Sequence, residues 1–96
     1  MKKFLFLYKG FTPPTPEIGR AWTEWFNRVG PDMADSGNPM TGGVEVTPDG
    51  VQQLELGPAS FTGYSIINAE NIDAAVDLAK TNPMITSVVI HELARM

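Results

Sequence analysis

Few side chains in this sequence have the chemistry to act on a ligand. His91 is the only histidine. A lone imidazole becomes a general base when a carboxylate or a ligand lies within hydrogen-bond reach. Its setting, between Ile90 and Glu92 in an apolar run, also suits a structural histidine on an edge strand. Asp35 stands in Asp35-Ser36-Gly37-Asn38-Pro39, which reads as a capped helix end followed by a turn. An aspartate there opposes the helix dipole. It either bonds loop amides or carries a function that outweighs local preference. Trp22 and Trp25 lie three apart with Phe26 beside them. Two indoles could wall a pocket for an aromatic ligand, because such pockets are mostly apolar with a few polar groups. Core packing is the competing role, expected for at least one of the pair. Tyr8 and Tyr64 could each present a phenol to a cleft, or anchor the sheet by packing.

Other chemistries are excluded by what is missing. The sequence has no cysteine, so disulfides, thiolate metal sites and cysteine catalysis are ruled out. One histidine without His-x-x-x-His spacing or an acidic cluster leaves no metal motif, and no metal or cofactor is expected. Gly42-Gly43 and Gly57-Pro58 lack the strand–GxGxxG–helix setting of a phosphate cradle. No Gly-x-Ser-x-Gly elbow occurs.

Ninety-six residues make one domain, expected to span 1–96, and the 43% hydrophobic share is enough for a core. A net charge of −4 with scattered Lys and Arg argues against nucleic acid, which calls for a basic patch. Met1-Lys2-Lys3 followed by Phe4–Tyr8 has the outline of a signal peptide. The apolar run is too short, however, and Lys9 ends it, so a buried strand and a cytoplasmic protein are expected. No stretch is long enough to cross a bilayer as a helix, and no membrane partner is expected.

The elements that must position these side chains follow from periodicity and punctuation. Phe4–Tyr8 is apolar on both faces, the pattern of a fully buried strand. Thr15 as N-cap, Pro16 at the first helical position and Glu17 in the first turn open a helix. Its stripe is Ile18, Trp22, Trp25, Phe26 and Val29. Gly30-Pro31 interrupts it, and a further turn over Asp32–Ser36 is expected to end at Gly37. Val44–Thr47 and Val51–Leu56 pair as a hairpin through Pro48-Asp49-Gly50. Phe61–Asn68 is a strand. Asn71 caps a second helix whose buried face carries Ile72, Ala75, Val76 and Ala79, and Asn82-Pro83 stops it. Ser87–Leu93 is the last strand. The order is β-α-ββ-β-α-β, an α+β chain. Right-handed crossovers put both helices on one face of a single sheet. The first and last strands are apolar on both faces, so the other face needs a partner. A homodimer packed sheet against sheet is the economical answer.

These residues also resemble a family. Trp22-Thr23-Glu24-Trp25-Phe26, Gly30, Asp35-Ser36-Gly37-Asn38-Pro39, Gly57-Pro58-Ala59-Ser60, Gly63-Tyr64-Ser65-Ile66-Ile67, and Ala74-Ala75 through Asn82-Pro83 are similar in order and spacing to the YCII-related, DGPF-type domain. The resemblance covers nearly the whole chain. It implies a bacterial protein with a ferredoxin-like fold that pairs into a dimeric α+β barrel. A few relatives are thought to be small enzymes acting on aromatic substrates through a His–Asp pair in a cleft. This sequence departs from that pattern. Phe4–Tyr8 contains no histidine, and Leu56-Gly57-Pro58-Ala59 stands where Asp-Gly-Pro-Phe is expected.

The expectation is therefore a homodimeric, non-enzymatic protein that binds a small apolar or aromatic molecule or fills an interaction role, with Trp22, Trp25, Tyr8 and Tyr64 at the ligand. The alternative is a cofactor-free enzyme on an aromatic or small organic-acid substrate, with His91 or Asp35 as acid or base.

Overall fold

A computed structural model describes residues 1–95. The chain is a small α+β protein. Strands β1 (Lys2–Lys9), β2 (Met33–Asp35), β5 (Phe61–Ala69) and β6 (Ser87–Glu92) form one antiparallel sheet in the order β2-β5-β1-β6. Helices α1 (Pro16–Val29) and α2 (Ile72–Lys80) pack on one face of it. Strands β3 (Gly43–Thr47) and β4 (Gly50–Leu54) form a separate hairpin.

The central strand shows how sequence becomes a layer. Alternation along β1 sends Phe4, Phe6 and Tyr8 toward the helices, where all three are buried. Leu5 and Leu7 face the other way and are half-buried. On the helix side, Ile67 and Ala69 of β5 complete the floor, and Trp25, Val29, Ala75 and Ala79 come down from above. The small Ala75 and Ala79 let α2 approach the sheet closely. On the opposite face the register places Leu5 beside Ile66, and Leu7 between Tyr64 and Val89. The strand expected to be buried on both faces is thus fully buried on one only within a single chain.

Both helices begin as their caps direct. The Thr15 hydroxyl accepts from the Ile18 amide at 3.2 Å, and the Asn71 carboxamide oxygen accepts from the Ala74 amide at 2.9 Å. Two expectations fail. Beyond a 3₁₀ turn over Gly30–Asp32, the chain does not make a further helical turn to Ser36; Met33–Asp35 extends as the edge strand β2. Pairing with β5 and burial of Met33 against the core outweigh local propensity there. Asp35 therefore sits on a strand, with no helix dipole to oppose it. Ile72, expected on the buried face of α2, is 45% exposed. It is the first helical residue, and its side chain leans toward the helix N-terminus, past the edge of the core.

The hairpin forms at the expected turn. Val46 pairs with Val51 and Val44 with Gln53 around Pro48-Asp49. Both strands are exposed throughout, and Val44, Val46 and Val51 share one uncovered face.

Candidate functional site

The residues of α1 divide between two surroundings. Trp25 and Val29, four apart, join the core with Ala75 and Ala79 of α2. Trp22 and Phe26, also four apart, line a cleft of about 910 Å³ together with Gly30 just past the helix end. Its opposite side is Met33 of β2 and the segment Ser36–Met40, which runs beside β5.

The floor explains why space exists there. Tyr8 lies opposite Gly63 and Phe6 opposite Ser65, so β5 offers two small residues on its helix side at this end. A Cβ on Gly63 would stand 3.3 Å from the Tyr8 ring. Farther along, Ile67 and Ala69 fill the same face. The rim depends on Gly37, whose φ of 78° belongs to the left-handed region; a Cβ there would run into the Tyr64 carbonyl.

Polar groups at the cleft are few and specific. The Tyr8 hydroxyl donates to Ser65 Oγ at 2.8 Å, and Ser65 Oγ donates to the Ser36 carbonyl at 2.7 Å. This chain ties the floor to the rim. Burial pushes the Tyr8 phenol up from 10.0 to about 12, against the opposing pull of the Ser65 hydrogen bond. Tyr8 is therefore neutral at physiological pH, with its proton committed to Ser65. Asn38 Nδ2 donates to the Tyr64 hydroxyl at 3.4 Å. The Tyr8 and Trp22 rings meet edge-on at 4.8 Å, and Trp22 and Phe26 are 5.8 Å apart.

The two tryptophans differ. Trp25 is fully buried, and its indole N–H donates to Thr81 Oγ1 at 2.9 Å; Thr81 Oγ1 in turn donates to the Leu78 carbonyl at 2.7 Å. Trp25 is core and does not line the cleft. Trp22 is half-buried and lines it, and its indole N–H has no acceptor among the described residues. Tyr8 lines the cleft from the helix side of the sheet, whereas Tyr64 borders it from the next position of β5, with its side chain on the face of Leu7.

His91 and Asp35 are not brought together within the chain. Asp35 pairs across to Ile66, Ile66 to Leu5, and Leu5 to His91. They occupy the two edge strands of a single row, about 14 Å apart at three strand spacings. Both are exposed, and neither lines the cleft. The Asp35 carboxylate accepts from the Gly37 amide at 2.8 Å, so it shapes the rim loop rather than meeting a ligand. A base held by a carboxylate is not assembled from this pair in one protomer. Among the described residues no group of three or more His, Cys, Asp or Glu could hold a metal ion. No helix among them is long and apolar enough to cross a membrane.

Sequence reasoning missed Phe11, Met33, Asn38, Met40 and Ile85 as cleft residues. Met33 was hidden because its segment reads as a turn. Ser65 carried a usable signal: alternation through Gly63, Ser65 and Ile67 puts a hydroxyl on the buried side, where it needs partners. No family model, curated protein or solved structure matches this chain.

Proposed function

We propose that this chain is a small-molecule-binding protein without catalytic activity, working as a homodimer, with an apolar or aromatic ligand in the cleft beside α1. The single observation that carries the reading is the cleft itself: about 910 Å³, walled by Trp22, Phe26, Tyr8 and Met33. That size lies within the range of pockets that enclose small organic molecules. Among the described residues that line it, Tyr8 and Tyr64 alone are titratable, which is why a binding role is preferred to acid–base chemistry through His91 or Asp35.

The dimer reading rests on the sheet face away from the helices. Leu5, Leu7, Ile66 and Val89 form a continuous apolar surface that the described residues leave only half-buried. The strand order, with both helices on one side, supports a ferredoxin-like assignment, and two such sheets face to face make the α+β barrel that the YCII-type resemblance implies. A bacterial origin follows from the same resemblance, and a cytoplasmic setting accords with a sequence free of cysteine.

Sedimentation velocity at micromolar concentration tests the assembly: a dimer is expected, and Leu7→Glu is expected to give a folded monomer. A wild-type monomer would remove this part of the reading. Thermal-shift screening against neutral aromatic, phenolic and carboxylic compounds tests the ligand site. Stabilisation that Trp22→Ala abolishes is expected, and no shift with any compound would remove the ligand role.

A further inference from the structure

We infer that the cleft selects an uncharged aromatic molecule bearing a hydrogen-bond acceptor, such as an aryl carbonyl, amide or ester, and that Trp22 supplies a donor to that acceptor. This inference rests on the ligand-binding reading of the cleft and deepens it.

Charge is the first argument. None of the side chains lining the cleft is Asp, Glu, Lys, Arg or His. A carboxylate or phosphate placed there would lose hydration with no cation to replace it, and isolated charges are costly to desolvate. The surrounding chain makes this worse for an anion. Between Val29 and Ala79 the sequence contains no Lys or Arg, while Asp32 and Asp35 flank the rim. The cleft therefore favours a neutral ligand over the organic acid that the sequence left open.

Hydrogen-bond direction is the second argument. The Tyr8 proton is spent on Ser65, and the Ser65 proton on the Ser36 carbonyl. The Thr62 hydroxyl is taken by the Gly10 carbonyl at 2.9 Å. Trp22 keeps its indole N–H, which only donates. A ligand acceptor satisfies this donor, whereas a quaternary ammonium ion, which an aromatic site could otherwise attract, cannot. The aromatic part of the ligand follows from the walls. Trp22, Phe26 and Tyr8 offer ring surface, and Phe11 at the cleft is 41% exposed and available for contact.

A matched series tests this on the full chain by isothermal titration calorimetry at neutral pH: naphthalene-2-carboxamide, 2-naphthoate, 2-naphthyl-trimethylammonium and naphthalene. The carboxamide is expected to bind at least ~10-fold more tightly than either charged compound. Trp22→Phe keeps an aromatic ring and removes the N–H. It is expected to weaken the carboxamide about 2- to 10-fold and leave naphthalene unchanged, with Trp25 fluorescence reporting an intact fold. In the wild type, the Trp22 indole N–H resonance is expected to move downfield with the carboxamide and not with naphthalene. Equal or tighter binding of the carboxylate or the ammonium compound would overturn the neutral-ligand inference while leaving the cleft a ligand site. An unchanged carboxamide affinity in Trp22→Phe, with no shift of the indole resonance, would overturn the role of Trp22. Failure of all four compounds to bind would sink the ligand-site reading itself.

Discussion

The two flanks of α1 are built from the same kinds of residue and do opposite things. On one flank Trp25 and Val29 are buried, and the Trp25 indole is paired with Thr81 at the end of α2. On the other, Trp22 and Phe26 stand over a cleft, and the Trp22 indole has no described acceptor. The offset between the two tryptophans is three residues, less than one turn. What separates them is the neighbour each flank meets. Beside Trp25 the chain supplies α2, whose alanines allow close approach. Beside Trp22 it supplies only a three-residue edge strand and a loop, over a floor of Gly63 and Ser65. Hydrophobicity alone does not decide whether an aromatic becomes core or ligand wall. The decision lies in whether the fold delivers an element to cover it and an acceptor for its N–H.

Substitutions can break this contrast. The largest effect is expected from Trp25→Ala, which removes a fully buried ring and its bond to Thr81, although Thr81 keeps its own bond to the Leu78 carbonyl. It should cost about 3–5 kcal/mol in urea denaturation, against about 1–2 kcal/mol for Trp22→Ala. Equal losses would mean that the flanks are not distinct. Ser65→Ala should follow, since it strands both the Tyr8 hydroxyl and the Ser36 carbonyl. A loss of about 1–3 kcal/mol is expected, together with weaker ligand binding as the rim loosens.

Thr81→Val acts on the buried flank alone. It removes the acceptor of the Trp25 N–H and should cost about 1–2 kcal/mol while leaving ligand affinity unchanged in titration. Tyr8 sharpens the contrast by titration. Its folded pKa, about 12, lies above the ordinary 10.0, so the protonated phenol is the form that folding favours. The resulting stability is fully present below about pH 10 and is lost as pH rises through 12. Denaturation midpoints followed across that window should fall more steeply for the wild type than for Tyr8→Phe. The smallest stability effect belongs to Asn38→Ala on the exposed rim, within about 0.5 kcal/mol of the wild type. Ligand affinity should stay unchanged as well, because the amide turns with Tyr64 toward the other face of the sheet, and a stability loss as large as that of Ser65→Ala would place Asn38 in the framework instead.

Much of the fold was legible in the residues. Thr15-Pro16 and Asn71 announced the two helices, and Pro48-Asp49-Gly50 announced the hairpin, because caps and turns are local chemistry. The continuous apolar run Phe4–Tyr8 identified a strand, and only the sheet order shows that it is central. Strand β2 was not legible: three residues hold no period, and Met33–Asp35 is extended only because β5 lies alongside. The site was half legible. Trp22 and Tyr8, named as ligand residues, border the cleft; Tyr64 borders it with its side chain on the other face of the sheet, and Trp25 is core. His91 and Asp35 looked like chemistry because their types allow it, yet pairing across the sheet sets them on opposite edges.

By itself, then, the sequence determined the two helices, the hairpin, strands β1, β5 and β6, the apolar faces of β1 and the absence of thiol chemistry. All of these depend on residues near one another along the chain or on composition. Only the tertiary structure decided which indole finds an acceptor, where Gly63 and Ser65 leave room, and that no charged side chain lines that room. These depend on residues far apart along the chain, such as Trp25 with Thr81 or Tyr8 with Ser65, 56 and 57 positions apart. Long-range contacts of this kind follow from strand pairing and helix packing, which local propensity does not encode.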